Sequence, residues 1–420
     1  MAGHKKTLIG NFISLSVVQG LSVIFPLITF PYLLRVLGVE GFGIFTLIQT
    51  FIIYFDLLVS FGFGLTATQY VSKNLGKTEK IQELISAVYF IKFILFILSV
   101  IVFIIVCLFI PYLRENILLV FISALYLLGN LLFPDWYFQG IQKMRNITIV
   151  TIISKTISLG LIVLLVKHPT DIVYAIFSLS AGNLIAGIVA FLILWKTFPI
   201  KRILPEKAFI VSLFKESAYV FTSIILAPLY ASVNIFILQV FTNPLMVGYY
   251  AIAEKIFTAL SMLTSIVNRT FYPHLSHLYA VSLAGYKKYV RTIAGLFAAG
   301  FLLIAITQFF GAEKIVRLIA GKKSEEDILN AAHILKIMSA GLIFSPFVSF
   351  FFQLLIIQGQ KKRAVANIVI AVVLNLISGC LFAYFYQANG MAINLCIIVT
   401  VIAFLNFTSF NKKLNAMPGE

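Results

Sequence analysis

The ionisable side chains inside the apolar runs of this 420-residue sequence that are candidates for function are Arg35, Asp56, Lys92, Asp135, Lys155, Glu254, Lys255, Arg269 and Lys336. A charge at the middle of a membrane span costs about 2.5–3.5 kcal/mol on insertion scales, so it is kept where it pairs, lines a polar path or carries a proton. Lys92 and Lys336 lie within about two turns of an expected span edge, where a long side chain snorkels to the interface. Asp56 sits near the middle of its run and is too short to snorkel, so it should pair with a cation such as Arg35 or titrate as a proton carrier. Lys255 and Arg269 are fourteen residues apart, close to four helical turns, which places them on one face of a continuous helix. Lys155 either extends that face or pairs with Asp135, and the sequence leaves both open. A cationic interior suits a phosphate or pyrophosphate group, with Arg giving bidentate contacts. Asp56, Glu254 and Asp135 are the candidates for balancing those cations or coupling to an ion.

The elements that must position these groups are membrane helices. Hydrophobic residues make up 61% of the chain and charged residues 11%, against about 25% charged in an ordinary soluble domain, and the mean hydropathy is +1.03. The fold class is therefore an all-α polytopic membrane protein. Apolar runs of spanning length fall at 8–35, 44–70, 84–110, 116–139, 147–167, 171–195, 217–241, 248–275, 289–311, 331–357, 364–386 and 389–411, twelve in all. An even number puts both termini on one side. With a cytoplasmic N-terminus, 20 of the 32 Lys and Arg fall on inside segments and seven on outside ones, so the positive-inside rule favours cytoplasmic termini. Residues 311–330 dissent, but Glu313, Glu325, Glu326 and Asp327 share that loop, which reads as an interfacial helix.

The net charge of +17 is spread over short loops, where it sets orientation, and nucleic acid is excluded as a partner. Cys107, Cys380 and Cys396 lie in apolar runs without metal-ligand spacing, so they read as small buried hydrophobes, and no metal or cofactor is expected. Lys5 and Lys6 precede a run that is too long for a signal peptide and lacks a small-residue cleavage site, so it reads as a retained first span.

The longest inside connection, with Pro199 and Pro205 and four basic residues, falls at the midpoint. It divides the chain into a six-helix lobe at 1–198, a cytoplasmic connecting segment at 199–216 and a second six-helix lobe at 217–420. Gly43-Ile44-Phe45 with Gln49 echoes Gly248-Tyr249-Tyr250 with Glu254, and Gln139-Gly140 with Lys143 and Arg145 echoes Gln358-Gly359 with Lys361 and Arg363. Six spans separate the copies, so the halves share one orientation, the parallel-repeat arrangement of many secondary transporters. Pro26 and Pro31 interrupt the first span and Pro228 the seventh, its equivalent, while Pro134 and Pro346 mark the fourth and tenth. Each removes a backbone donor. Pro26, Pro31 and Pro228 are candidate hinges, with static curvature as the alternative reading.

The run Phe30-Pro31-Tyr32-Leu33-Leu34-Arg35-Val36-Leu37-Gly38-Val39-Glu40-Gly41-Phe42-Gly43 resembles the first-loop signature of the polysaccharide and O-antigen flippase family, within the multidrug, oligosaccharidyl-lipid and polysaccharide exporter superfamily. Asp135-Trp136-Tyr137-Phe138-Gln139-Gly140, followed by Lys143-Met144, is similar to that family's stretch closing the fourth span. Tyr272-Pro273-His274-Leu275-Ser276 resembles the motif closing the eighth, with His274 where Arg is often found. The resemblance implies two pseudo-symmetric six-helix lobes around a central cavity lined by the first, second, seventh and eighth spans. It implies a bacterial inner-membrane flippase, not an enzyme, that turns an undecaprenyl-pyrophosphate-linked oligosaccharide from the cytoplasmic to the periplasmic leaflet for O-antigen or lipopolysaccharide biosynthesis. Its partners would be that lipid, the membrane lipids, H⁺ or Na⁺ if transport is ion-coupled, and polymerase and chain-length proteins of the same pathway. On this expectation Arg35, Lys155, Lys255 and Arg269 bind substrate. The alternatives are a cation-coupled drug or small-molecule exporter of the same superfamily, which the first-loop signature disfavours, and a membrane polysaccharide polymerase. The polymerases resemble chains with one large outside loop, and the longest outside loop here has about twenty residues without a His/Arg cluster.

Overall fold

Long apolar runs with few Gly or Pro can satisfy their backbone only by helix formation where water is absent, and the computed structural model follows that rule. It describes residues 2–109, 114, 117–198, 205–321 and 323–415, and every regular element among them is helical. In chain order these are α1 (Ala2–Ser60), α2 (Phe63–Lys73), α3 (Thr78–Phe109), α4 (Leu118–Leu132), α5 (Asp135–Gly140), α6 (Met144–Leu165) and α7 (Ile172–Thr197). They continue with α8 (Lys207–Phe241), α9 (Pro244–Ser261), α10 (Leu263–Val281), α11 (Leu283–Ala320), α12 (Glu325–Ile357) and α13 (Lys361–Asn415). Eight described helical stretches are long and apolar enough to cross a membrane, or nine if the bent pair around residues 265–270 is one span. Among the described residues, each of the twelve expected spans falls mostly on helix, with breaks inside them at 61–62, 133–134 and 262.

α13 carries two expected spans, and α1 carries the first and the larger part of the second, which ends in α2. α1 has 59 residues and α13 has 55, far beyond the roughly 20 that cross a bilayer, and each is kinked once. In α1 the kink is Gly38, at φ 79° and ψ 177°, a conformation essentially restricted to glycine. Pro26 and Pro31 lie inside the helix N-terminal to that break. In α13 the non-helical residue is Gln387, at φ 50°.

Packing divides the chain into two compact units, Met1–Ile225 and Leu226–Glu420, with the boundary inside α8. In the N-terminal unit α4 and α7 cross at glycines. A Cβ on Gly129 would lie 2.5 Å from the Asn183 carbonyl oxygen, and one on Gly187 would collide with the Gly129 carbonyl, so small residues permit the close crossing. The core at the other end of α2 and α5 is aromatic: Phe61, Phe63, Trp136, Tyr137 and Phe138 are all buried, and Phe61 stacks on Phe214 and Phe221 of α8. A hydroxyl pair, Thr66 with Ser217 at 2.8 Å, ties α2 to the same stretch.

The two echoes read from the sequence fall at matching turns. Gly38 stands five residues before Gly43, and Asn243, the extended N-cap of α9 whose side chain accepts from the Met246 amide, stands five residues before Gly248. At the second echo, Gln142 at φ 57° and Gly359 at φ 76° each precede by two residues the start of the next helix. There the Lys143 amide donates to the Phe138 carbonyl at 2.9 Å and the Gln360 amide to the Leu355 carbonyl at 2.8 Å, the 6→1 bond of a left-handed helix cap. These caps align Gln142 with Gly359, a register one to two residues from that of the side-chain echo. The loop expected at 311–330 is helical to Ala320 and resumes at Glu325, with Arg317 bonded to Glu325 at 2.6 and 2.7 Å and to Glu313 at 3.1 Å.

Candidate functional site

A broken helix builds the polar centre of the N-terminal unit. Pro134 has no N–H to offer the Asn130 carbonyl, and α4 ends at Leu132, with Phe133 extended and Pro134 at φ −92°, ψ 54° before α5 begins at Asp135. The freed carbonyls find donors on α3. Lys92 Nζ donates to the carbonyls of Asn130 at 2.6 Å and Phe133 at 3.4 Å, and Tyr89 OH donates to that of Leu132 at 3.0 Å. Lys92 is only 2% exposed. The Asn130 side chain meanwhile donates to Asp56 Oδ1 and to Ser60 Oγ, joining α4 to α1. Asp135 occupies the first turn of α5, where a carboxylate complements the helix dipole, and Gln139 donates to it at 3.5 Å. Lys155 of α6 places Nζ 4.6 Å from the centre of the Phe25 ring, a cation–π geometry. The charges act on one another: Asp56 interacts with Lys92, Lys155 and Asp135, and Lys92 with Asp135. Two acids and two bases are thus gathered among α1, α3, α5 and α6.

The C-terminal unit is organised by neutral amides. Ser378 Oγ donates to Asn394 Oδ1 at 2.6 Å, Asn394 Nδ2 to Asn375 Oδ1 at 2.7 Å, Asn375 Nδ2 to Asn234 Oδ1 at 3.0 Å, and Asn234 Nδ2 to the Tyr250 hydroxyl at 3.1 Å. This ladder pins the arms of α13 on both sides of Gln387 and ties them to α8 and α9. Asn234 and Asn375 also line a cavity of about 310 Å³, whose wall includes Glu254, Phe257, Ser261, Thr264 and Ser349. Asn268 Nδ2 donates to Ser349 Oγ at 2.9 Å.

With this geometry in view, the comparison with known proteins is direct. Residues 8–279, more than half of the chain, match the polysaccharide biosynthesis protein family. The chain belongs to that family. It is 29% identical to a protein of Escherichia coli (strain K12) named "Putative O-antigen transporter", over 99% of this chain and 100% of that protein. A protein of the same name from Shigella dysenteriae is 27% identical over 92% of this chain and 95% of its own length. In fold this family member resembles the lipid II flippase MurJ in an inward closed conformation, with a TM-score of 0.73 at 15% identity over 95% of this chain and 88% of that one. It also resembles an inward-facing multidrug resistance MATE family transporter of the MOP superfamily, with a TM-score of 0.66 at 12% identity over 94% and 98%. The family expected from the first-loop signature is therefore the family found, and this polysaccharide biosynthesis protein is a multi-pass membrane protein with a transporter fold.

The structure sorts the expected site residues of the family member into separate groups. Asp56 accepts from Asn130 and lies within electrostatic reach of Lys92, Lys155 and Asp135, whereas Asp135 is within reach of Lys92 and not of Lys155; the expected partner Arg35 is an exposed residue of α1. Lys92 corrects the snorkelling expectation. Its helix begins at Thr78 and not at 84, so Lys92 lies about four turns inside, buried against the Asn130 and Phe133 carbonyls at the Pro134 break. Glu254 lines the cavity of the C-terminal unit, next to the partly buried Lys255. The shared face of Lys255 and Arg269 assumed one straight helix, whereas the stretches Pro244–Ser265 and Thr270–Val281 meet at a 44° bend; the Arg269 side chain lies outside the described residues. Pro228 lies within α8, its side chain also outside them. Charge alone could not reveal Asn130, Asn234, Asn375 and Asn394, although an amide inside an apolar run is itself a signal of an interhelical bond.

Proposed function

We propose that this chain is a flippase that carries undecaprenyl-pyrophosphate-linked oligosaccharide repeats, of O-antigen or a related surface polysaccharide, from the cytoplasmic to the periplasmic leaflet by alternating access. The bacterial inner membrane is its location, with both termini cytoplasmic. The observation that carries this reading is the end-to-end match to curated relatives that bear the O-antigen transporter name, on a chain made almost entirely of membrane-length helices. The fold likeness to a lipid II flippase supports it. The physical need is plain: a sugar pyrophosphate cannot cross hydrocarbon unaided, since each unpaired polar group costs several kcal/mol there. A polar path through helices shelters the headgroup while the polyprenyl tail stays in lipid.

In this reading Arg35, Lys255 and Arg269 attract the pyrophosphate. Lys155 is shared between the substrate and Asp56, because its charge already answers that carboxylate. Asp56, Asp135 and Glu254 balance the cations or couple to H⁺ or Na⁺, and Pro26, Pro31 and Pro228 are bending points. Polymerase and chain-length proteins of the same pathway are its partners, and it carries out no covalent step.

The test is deletion of the gene in its native host, followed by mass spectrometry of the lipid-linked oligosaccharides and a surface-polysaccharide blot. Completed single repeats accumulating on the cytoplasmic leaflet, with polymer lost, are the expected result. Accumulation on the periplasmic face would identify a polymerase, and unchanged lipid intermediates with altered drug sensitivity would identify a small-molecule exporter.

A further inference from the structure

We infer that the cavity of the C-terminal unit is a subsite for an uncharged sugar ring of the lipid-linked substrate, distinct in chemistry from any site for its pyrophosphate. The inference rests on the flippase reading above and adds the chemical class that this cavity takes.

Its wall decides the class. Among the described lining residues there is one carboxylate, Glu254, and no Lys or Arg; the rest are hydroxyls, the amides of Asn234 and Asn375, and apolar groups. A pyrophosphate brought here would meet a carboxylate and, among the described lining residues, no cation to answer it. A neutral polyol meets what it needs. A carboxylate accepts from two adjacent hydroxyls, a serine or threonine hydroxyl both donates and accepts, and the flat apolar face of Phe257 can cover the C–H face of a ring.

The wall also holds unspent bonding capacity. Thr264 is 3% exposed and its Oγ1 has no hydrogen-bond partner; Ser261, a half-buried residue, has a buried Oγ that likewise has none, and both residues line the cavity. A buried hydroxyl without a partner is costly, so these two groups mark where a ligand's hydroxyls are accepted. Other polar groups of the wall are already committed. Asn234 and Asn375 belong to the amide ladder, Ser345 donates to the Leu342 carbonyl and Ser265 to that of Met262. The committed groups keep the cavity's shape and the uncommitted ones recognise. At about 310 Å³ the space lies at the lower end of the roughly 300–1,000 Å³ of small-ligand pockets, which fits a ring or two and not a whole repeat unit.

The experiment measures the affinity of the purified full-length protein in detergent for two probes by native mass spectrometry: undecaprenyl pyrophosphate carrying one N-acetylglucosamine, and bare undecaprenyl pyrophosphate. The wild type should prefer the glycosylated lipid by about tenfold, the effect of one or two added hydrogen bonds. Thr264→Val and Glu254→Gln, which keep the shape of each side chain, should bring the ratio of the two affinities close to one. A wild type that does not discriminate, or variants that keep the tenfold ratio, would overturn the subsite. So would a protein that binds neither lipid. The flippase reading is judged apart from this, by the leaflet on which repeats accumulate in the deletion strain.

Discussion

The N-terminal and C-terminal units face the same problem, tying helices together where water is scarce, and solve it with different chemistry. In the first, a proline breaks α4, the freed carbonyls take an ammonium from α3, and that ammonium sits among two carboxylates and a second amine. In the second, four neutral bonds in series join three asparagines, a serine and a tyrosine. The difference teaches what each can tolerate. A buried charge that loses its partner leaves an uncompensated ion, whereas a broken amide bond leaves a dipole.

The largest effect should therefore come from Lys92→Met. It strips the charged donor from the Asn130 and Phe133 carbonyls, for a cost of about 3 kcal/mol, since a hydrogen bond to a charged group is worth about 1.5–3 kcal/mol. Thermal unfolding of purified protein in detergent checks it, and a melting point within a degree or two of wild type would break the comparison at its strong end. Next comes Gly187→Leu, which forces α7 away from the Gly129 backbone of α4; overpacking of this kind costs about 1–3 kcal/mol. Because it touches neither polar device, it calibrates what packing alone is worth. Asn375→Leu removes two rungs of the amide ladder, and at about 0.6 kcal/mol per interhelical bond the loss should be near 1 kcal/mol in the same assay. Should Asn375→Leu cost as much as Lys92→Met, the distinction between charged and neutral centres fails.

The smallest effect sharpens the contrast from outside the membrane. Asp171, in the turn ahead of α7, accepts the Lys167 and His168 amides at 2.9 and 2.8 Å, and these bonds hold its carboxyl below the usual carboxylate range. A lowered folded-state pKa means stability that is present above the unfolded value, about 3.9, and is lost as pH falls through the lowered one. Asp171→Asn should thus be slightly less stable than wild type at neutral pH and match it in strong acid, as melting curves at two pH values will show.

What was legible in the sequence followed from the solvent. An apolar run must be helical in lipid, so the spans could be read from hydropathy, and the first-loop motif was legible through its resemblance to a family signature, whose Gly38 the structure places at the kink of α1. Lys92 was misread for a geometric reason: its helix starts six residues earlier than the apolar run suggests, and the polar environment that keeps it buried is backbone, created by a proline on another span. Pro134 was visible as a helix-bending residue, but the carbonyls it hands to α3 were not. The amide ladder escaped because asparagine carries no charge, and its members come from spans more than a hundred residues apart in the case of Asn234 and Asn375. The one-face argument for Lys255 and Arg269 assumed a straight helix, and at the bend between Ser265 and Thr270 helical spacing alone no longer fixes direction.

Flipping itself is the central claim, and reconstitution tests it most directly. Purified protein in liposomes carrying the lipid-linked repeat of its host, with a sugar-modifying enzyme or lectin added outside, reports which leaflet holds the headgroup. The account predicts that protein-containing vesicles expose the whole lipid pool to the outside probe while protein-free vesicles expose only the outer half. Equal exposure in the two preparations, with the protein folded and inserted, would contradict it.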